Sequence, residues 1–209
     1  MSSFVLKVLA CIFMLIDHIG YVLFPGVTIY RILGRIAFPI FAWQISVGYK
    51  NTSNVKKYIF RLGLFALISQ IPYSFVINPS TLNVFFTLTL GVLSIFIFQK
   101  SKNKVSGFTA AFLIMIMAEA LKADYGAYGA AMIFLFYLSF ENKFFMAITQ
   151  ILLTGTYSYF SMRFLQLYSL MALVPISFYN GKRGARAKYL FYIFYPVHLF
   201  ALYIIKLLM

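Results

Sequence analysis

Long runs of apolar residues alternate along this chain with short polar clusters. Nine runs can be read: Phe4 to Phe24, Tyr30 to Tyr49, Tyr58 to Ile77, Leu82 to Phe98, Val105 to Leu121, Tyr125 to Phe140, Phe144 to Phe160, Met162 to Tyr179 and Tyr189 to Leu208. Breaks fall at Pro25-Gly26, KNTSNVKK (50–57), Asn78-Pro79-Ser80, QKSKNK (99–104), Lys122-Ala123-Asp124, Glu141-Asn142-Lys143 and NGKRGARAK (180–188). A helix needs about 20 apolar residues to cross a bilayer. Backbone in lipid must satisfy its own hydrogen bonds, so such runs are helices. The pattern predicts an all-α, polytopic membrane helical bundle of about nine transmembrane helices in a single domain, 1–209. The junction between the seventh and eighth runs is very short, and a re-entrant hairpin there is the alternative to two full spans.

Composition agrees. Of 209 residues, 63% are hydrophobic, against about 45–50% in ordinary globular domains, and mean hydropathy is +0.89. The net charge of +14 would suggest nucleic acid in a soluble protein. Here the cations sit in short clusters between apolar runs, the positive-inside pattern. With the N-terminus inside and nine alternations, the C-terminus lies outside. Thirteen of the eighteen Lys and Arg residues then face inward and five outward: Arg31, Arg35, Lys122, Arg163 and Lys206. The single cysteine, Cys11, excludes an internal disulfide, and nothing after Lys7 reads as a cleavage site for a signal peptide.

Against this background the ionisable residues inside apolar runs stand out, because each costs roughly 2.5–3.5 kcal/mol on insertion scales. MLIDHIG (14–20) holds one of four acids, Asp17, beside one of two histidines, His18. This pair is the candidate centre of an active site. On a helix, Cys11, Met14, Leu15 and His18 share a face, while Asp17 points about a quarter-turn away. Asp17 therefore need not bond His18 and could pair with an arginine of the second segment; the plainer reading makes Asp17 a structural ion-pair partner and His18 a helix-packing hydrogen bonder. That segment opens RILGRIAFPIF: Arg31 and Arg35 lie on one face, Gly34 permits close helix approach, and Pro39 predicts a kink. A planar guanidinium suits an anion or a developing oxyanion, although Arg31 could simply snorkel to the interface.

Other polar residues have plainer readings beside functional ones. Asn83, with Thr87, Gly91 and Ser94 on one face, suits bundle packing or a polar cavity. Asp124 could cap the sixth helix, and Glu119 with Lys122 could form a surface pair. Tyr192, Tyr195 and His198 follow helical spacing around Pro196. Belt tyrosines are ordinary, but a mid-depth His198 requires a partner or a wet cavity. No phosphate-binding glycine loop, dinucleotide fingerprint or metal-ligand cluster is present, so no metal is expected.

Five stretches together carry a resemblance: K-x-x-A-x-x-x-M-x-x-DHIG (Lys7 to Gly20), GRIAFPIFAW (34–43), GYKNTSNVKKYIFRLGLFALISQIPY (48–73), DYGAYG (124–129) and KYLFYIFYPVHL (188–199). In combination they resemble the TraX family of conjugal-transfer pilin acetylases, over most of the chain. The resemblance implies a multi-pass protein of the bacterial cytoplasmic membrane that moves an acetyl group from acetyl-CoA to the N-terminal amine of a pilin-like or other exported peptide, or to a glycan hydroxyl. It implies His18 as general base or acyl carrier, with Asp17 and Arg35 orienting it or stabilising charge. Arg31, Asn83, Asp124, Tyr195 and His198 are then supporting candidates. The basic rim residues Lys56, Lys57, Arg61, Arg183 and Lys188 are candidates for the phosphates of acetyl-CoA. Lipid, acetyl-CoA and an exported acceptor are the implied partners, with no role for nucleic acid. Two other classes compete: a transporter lined by Asp17, His18 and Asp124, against which the lack of internal repeats counts, and a non-catalytic subunit of a conjugation or secretion complex.

Overall fold

The computed structural model describes the backbone of residues 1–209 and every side chain except that of Lys188. Ten α-helices follow in chain order: α1 (Ser3–Val22), α2 (Thr28–Gly34), α3 (Ala37–Asn51), α4 (Val55–Val76), α5 (Val84–Lys100), α6 (Lys104–Ala120), α7 (Gly126–Leu138), α8 (Lys143–Ser161), α9 (Leu173–Ser177) and α10 (Lys188–Leu208). A 3₁₀ segment, Phe164–Ala172, leads into α9. Among the described residues the only strand-like pairing is an isolated parallel bridge between Leu82 and Ala123.

All nine apolar runs return as helical structure, and two of them are broken. The second divides at Arg35-Ile36 into α2 and α3. Pro39 explains the place: it has no N–H to offer the Arg35 carbonyl, and proline is accommodated most easily in a first helical turn, where it stands in α3. The expected kink thus becomes a break four residues earlier. The eighth run becomes the 3₁₀ segment plus α9 and packs back against α8. Proline does not always break a helix here: α4 and α10 run on through Pro72 and Pro196.

Four stretches are long and apolar enough to cross a membrane: Ser3–Val22, Thr28–Asn51, Val55–Val76 and Tyr189–Leu208. The remaining helices are shorter or more polar. At 1.5 Å per residue, α7 rises about 20 Å, less than a hydrocarbon core of about 30 Å. The chain is a helical membrane bundle in which several central elements are shorter than a full span.

α3 is the central pillar. Ten of its residues are buried, from Ala37 to Val47, and α1, α7, α5, α9 and the 3₁₀ segment pack around it. Trp43 sits among Phe136, Phe140 and Tyr179. Outer helices show apolar stripes instead: Phe60, Leu64, Leu67, Ile71 and Phe75 of α4 are exposed at helical spacing, as a lipid-facing surface requires. The polar breaks hold caps. Asn54, Asn83, Asn103 and Asn142 each accept a bond from a first-turn backbone N–H of α4, α5, α6 and α8.

Replacing Asn142 by Ala removes the cap of α8 and is expected to destabilise the protein by about 1 kcal/mol, whereas Asn142→Asp preserves most of it. Thermal unfolding of the detergent-solubilised variants measures the difference.

Candidate active site

α1 turns one stripe toward the bundle interior: Ser3, Phe4, Lys7, Met14, Asp17, His18 and Tyr21 line a cavity of about 700 Å³. Lys7 and His18 are eleven residues apart, three turns on one face, so the cavity follows α1 for about 16 Å. At one end it is walled by Asn51, Thr52, Ser53, Arg61, Gly181 and Arg183. At the other it is walled by Arg31, Arg35, Asp124, Tyr125, Tyr73 and Tyr195. Phe38, Phe41, Phe85 and Leu88 supply apolar walls between them.

The Asp17 carboxylate joins three elements. Arg31 Nη1 donates to Oδ2 at 2.7 Å; Arg35 Nη2 donates to Oδ1 at 2.9 Å and to Oδ2 at 3.1 Å. Arg35 Nε also donates to the Arg31 carbonyl at 3.3 Å. The side chains of Asp17 and Arg35 are 11% and 16% exposed, that of Arg31 30%. Arg31 is therefore an ion-pair member rather than a residue snorkelling to the interface. Two glycines permit this approach. A Cβ at Gly34 would collide with the Asp17 side chain, and one at Gly20 with that of Tyr30. These are the glycines of the DHIG and GRI motifs.

His18 meets His198 on α10. His18 Nδ1 and His198 Nε2 are 2.7 Å apart, and His198 Nδ1 is 2.8 Å from the Phe194 carbonyl. His198 is buried and outside the cavity lining, while His18 is only partly buried and lines it. The mid-depth histidine thus has its partner. Tyr195 lines the cavity beside both imidazoles, its ring 6.2 Å from that of His18 and 5.5 Å from that of His198.

Asp124 and Tyr125 arrive on the loop between α6 and α7, which the Leu82–Ala123 bridge pins down. Asp124 N donates to the Leu82 carbonyl at 2.7 Å, and the Thr87 hydroxyl donates to the Asp124 carbonyl. Tyr125 adopts φ +64°, uncommon for a residue with a side chain, and stacks on Phe38 with centroids 3.9 Å apart. Burial pushes the Asp124 carboxyl up to about 6, with Arg35 pulling it down. Asp124 does not cap α7. That role falls to Glu119, whose Oε2 accepts from Ala127 N at 2.9 Å. Glu119 is accordingly not paired with Lys122, and the ion pairs among the described residues are Asp17 with Arg31 and Arg35, and Lys50 with Glu141.

The other candidates separate by position. Asn83 lies away from the cavity: its amide donates to the Ala66 carbonyl at 2.7 Å and to Gln70 at 2.9 Å, and its Oδ1 caps α5. Its expected place near the site is corrected to a structural one. Arg61 and Arg183 line the cavity. Lys56 and Lys57 do not; they are exposed, because α4 turns the Tyr58–Leu62–Ala66–Ser69 face inward. The side chain of Lys188 lies outside the described residues. Lys7, Tyr73 and Tyr125 were not among the candidates. For Lys7 the signal was available: it stands three whole turns before His18.

Among the described residues no group of three or more His, Cys, Asp or Glu is placed to hold a metal ion. These features define a class: a helical membrane protein with a cavity between its helices lined by both charged and apolar side chains. The chain belongs to the TraX protein family, whose profile matches residues 2–206. It is 33% identical over 230 residues to the probable fimbrial assembly protein FimC, serogroup H1, of Dichelobacter nodosus, covering 95% of this chain and 93% of that protein. It is 33% identical over 143 residues to the uncharacterized protein RP591 of Rickettsia prowazekii (strain Madrid E), covering 66% of this chain and 56% of that one. No solved structure matches the chain.

Removing one partner of a buried ion pair costs about 3–5 kcal/mol, because the remaining charge is stranded. Asp17→Ala strands two arginines, and the partial exposure of Arg31 places the expected loss near the lower figure. Gly34→Ala should destabilise in the same way, by driving the Asp17 carboxylate out of the cluster. Thermal or denaturant unfolding of both variants, beside Gly26→Ala where a Cβ meets nothing, checks this.

Proposed function

We propose that the chain is an acetyltransferase that draws on acetyl-CoA and delivers the acetyl group to an acceptor within the cavity between its helices. The observation that supports this most is a cavity with unlike ends. Lys7, Arg61 and Arg183 have no carboxylate partner among the described residues. Acetyl-CoA has the matching polarity: phosphates at one end of the molecule, a thioester at the other. With its phosphates on these cations, its pantetheine arm would follow α1 toward His18.

In this reading the N-terminus and the 50–57 and 180–188 loops lie in the cytoplasm, and the nine apolar segments are arranged across a bacterial cytoplasmic membrane with the C-terminus outside. The acceptor approaches from the Asp124 end. Its amine nitrogen or hydroxyl oxygen attacks the thioester carbonyl carbon while an imidazole nitrogen of His18 takes its proton, a contribution of typically 10²–10⁴-fold. Arg31 and Arg35 keep N–H donors not spent on Asp17, and these are the groups at hand for the oxyanion. When the oxyanion collapses, the C–S bond breaks and His18 returns the proton to the departing sulfur. The products are an acetylated acceptor and free CoA.

An amine is favoured over a hydroxyl by Asp124, a cavity-lining carboxylate with no ion-pair partner among the described residues. It would attract an ammonium group as acceptors enter. The fimbrial assembly role in the name of one relative fits an exported, pilin-like N-terminus as that amine.

The test is purified protein supplied with acetyl-labelled acetyl-CoA. Wild type should bind CoA and release or transfer label; His18→Ala should bind equally and lose turnover. Arg61→Ala and Arg183→Ala should each raise the KM for acetyl-CoA about tenfold, the scale of one charge-assisted hydrogen bond. A wild-type protein that binds no CoA, or that moves a solute without acetyl chemistry, overturns the proposal.

The pH profile gives a second check. Asp124 is ionised above about pH 6 and protonated below it, so affinity for an amine acceptor should fall as pH drops through 6. Asp124→Asn should show weak acceptor binding at every pH and lose that dependence.

A further inference from the structure

We infer that His198 is a positioning residue that holds His18 in the tautomer with a bare Nε2 facing the cavity, and that accepts the proton His18 passes on when it works as a base. Its catalytic consequence rests on the acetyltransferase reading above; the tautomer itself does not.

The argument starts at the far end of the chain of contacts. A carbonyl oxygen can only accept, so the 2.8 Å contact with Phe194 O makes His198 Nδ1 a donor. In the neutral ring Nε2 is then a lone-pair acceptor. His18 Nδ1 lies 2.7 Å from that nitrogen and must carry the hydrogen between them. One hydrogen remains for each neutral imidazole, so His18 Nε2 has none. The two ring planes are inclined by only 11°. Face-to-face rings keep atoms roughly 3.5 Å apart, so a 2.7 Å nitrogen contact between near-parallel rings is an edge-to-edge hydrogen bond. His18 lines the cavity and His198 does not, which leaves Nε2 as the ring nitrogen open to a reactant. The fold locks the arrangement: Phe194 stacks on His198 with centroids 4.6 Å apart and Tyr195 meets it edge-on.

The same geometry defines a relay. When an N–H bond forms at His18 Nε2, the Nδ1–H bond can break and a new N–H bond form at His198 Nε2. The positive charge then rests on His198, one ring further from the chamber that holds Arg31 and Arg35, and the hydrogen bond to the Phe194 carbonyl stabilises it. Reversing the two transfers restores the proton to Nε2 for the departing sulfur. No redox partner or further reactant is involved.

The chain has two histidines, so ¹⁵N-histidine labelling of the full-length protein in lipid nanodiscs yields two imidazoles to assign. The expected result is that His18 carries its proton on Nδ1, the minor form of a free imidazole in water. His198→Phe fills the same space without an acceptor; it should shift His18 toward the Nε2–H form and lower kcat about tenfold or more with the KM for acetyl-CoA unchanged. His198→Gln, which can accept the hydrogen bond through its amide oxygen but cannot take the proton, should keep the Nδ1–H form and recover only part of kcat. A wild-type His18 protonated on Nε2, or a His198→Phe protein with unchanged tautomer and kcat, overturns the inference. Wild-type protein with the Nδ1–H form but no acetyl chemistry supports the tautomer assignment and sinks the acetyltransferase reading instead.

Discussion

The structure depends on one carboxylate shared between two guanidinium groups. Asp17 anchors α1 against α2 and against the junction from which α3 begins. A carboxylate this little exposed is tolerated only when it is paired and hydrogen-bonded. Satisfying Asp17 demands that two cations come within 3 Å or so, which demands that the two helices touch, and the hydrogen-only side chains of Gly20 and Gly34 allow it. The break at Arg35-Ile36 releases α3 to become the central pillar while Arg35 stays at the ion cluster. Because Asp17 is fully occupied on one side of α1, the adjacent His18 is left to look elsewhere, and it finds α10.

The chamber that results is electrically uneven. At the Asp17 end, cations and anions are close to balanced: Arg31 and Arg35 face Asp17, with Asp124 across the space. At the opposite end, Lys7, Arg61 and Arg183 contribute charge without a protein anion to answer it. Lys7 and Arg61 are partly buried and Arg183 is exposed at the mouth, so water or a ligand anion can answer this charge. The imbalance is the feature that separates this chamber from a structural polar layer. The polar layer formed by Tyr128, Thr154, Gln166 and Ser169 is uncharged and hydrogen-bonded within itself.

Much of this was readable from residue order. Nine apolar runs with basic breaks mark the helices, since hydropathy is a local property. The quarter-turn offset between Asp17 and His18 already allows them different partners, and a mid-depth His198 already demands one. What could not be read depends on three-dimensional neighbours. Glu119 rather than Asp124 finishes α7, because the left-handed turn at Lys122 and Tyr125 swings the helix start over the end of α6. Asn83 is spent on Ala66 and Gln70, contacts that only the α4–α5 packing creates. Lys56 is turned away from Arg61 by helix phase, whereas Lys57 shares its face but lies one turn nearer the exposed start of α4. The 3₁₀ winding of 164–172 has no marker in hydropathy at all.

The first turn of α1 bears on how the chamber communicates with its surroundings. The Ser3 and Phe4 N–H groups donate to the carbonyls of Lys182 and Arg183 at 2.9 and 3.0 Å, so the loop that walls one mouth also terminates the helix that walls the chamber's side. Moving that loop away from α1 breaks those two bonds and leaves helix-end donors looking for water. Any displacement of the 182–183 backbone is consequently coupled to fraying of α1 one turn before Lys7, so the wall of that mouth and the start of the helix form one mechanical unit.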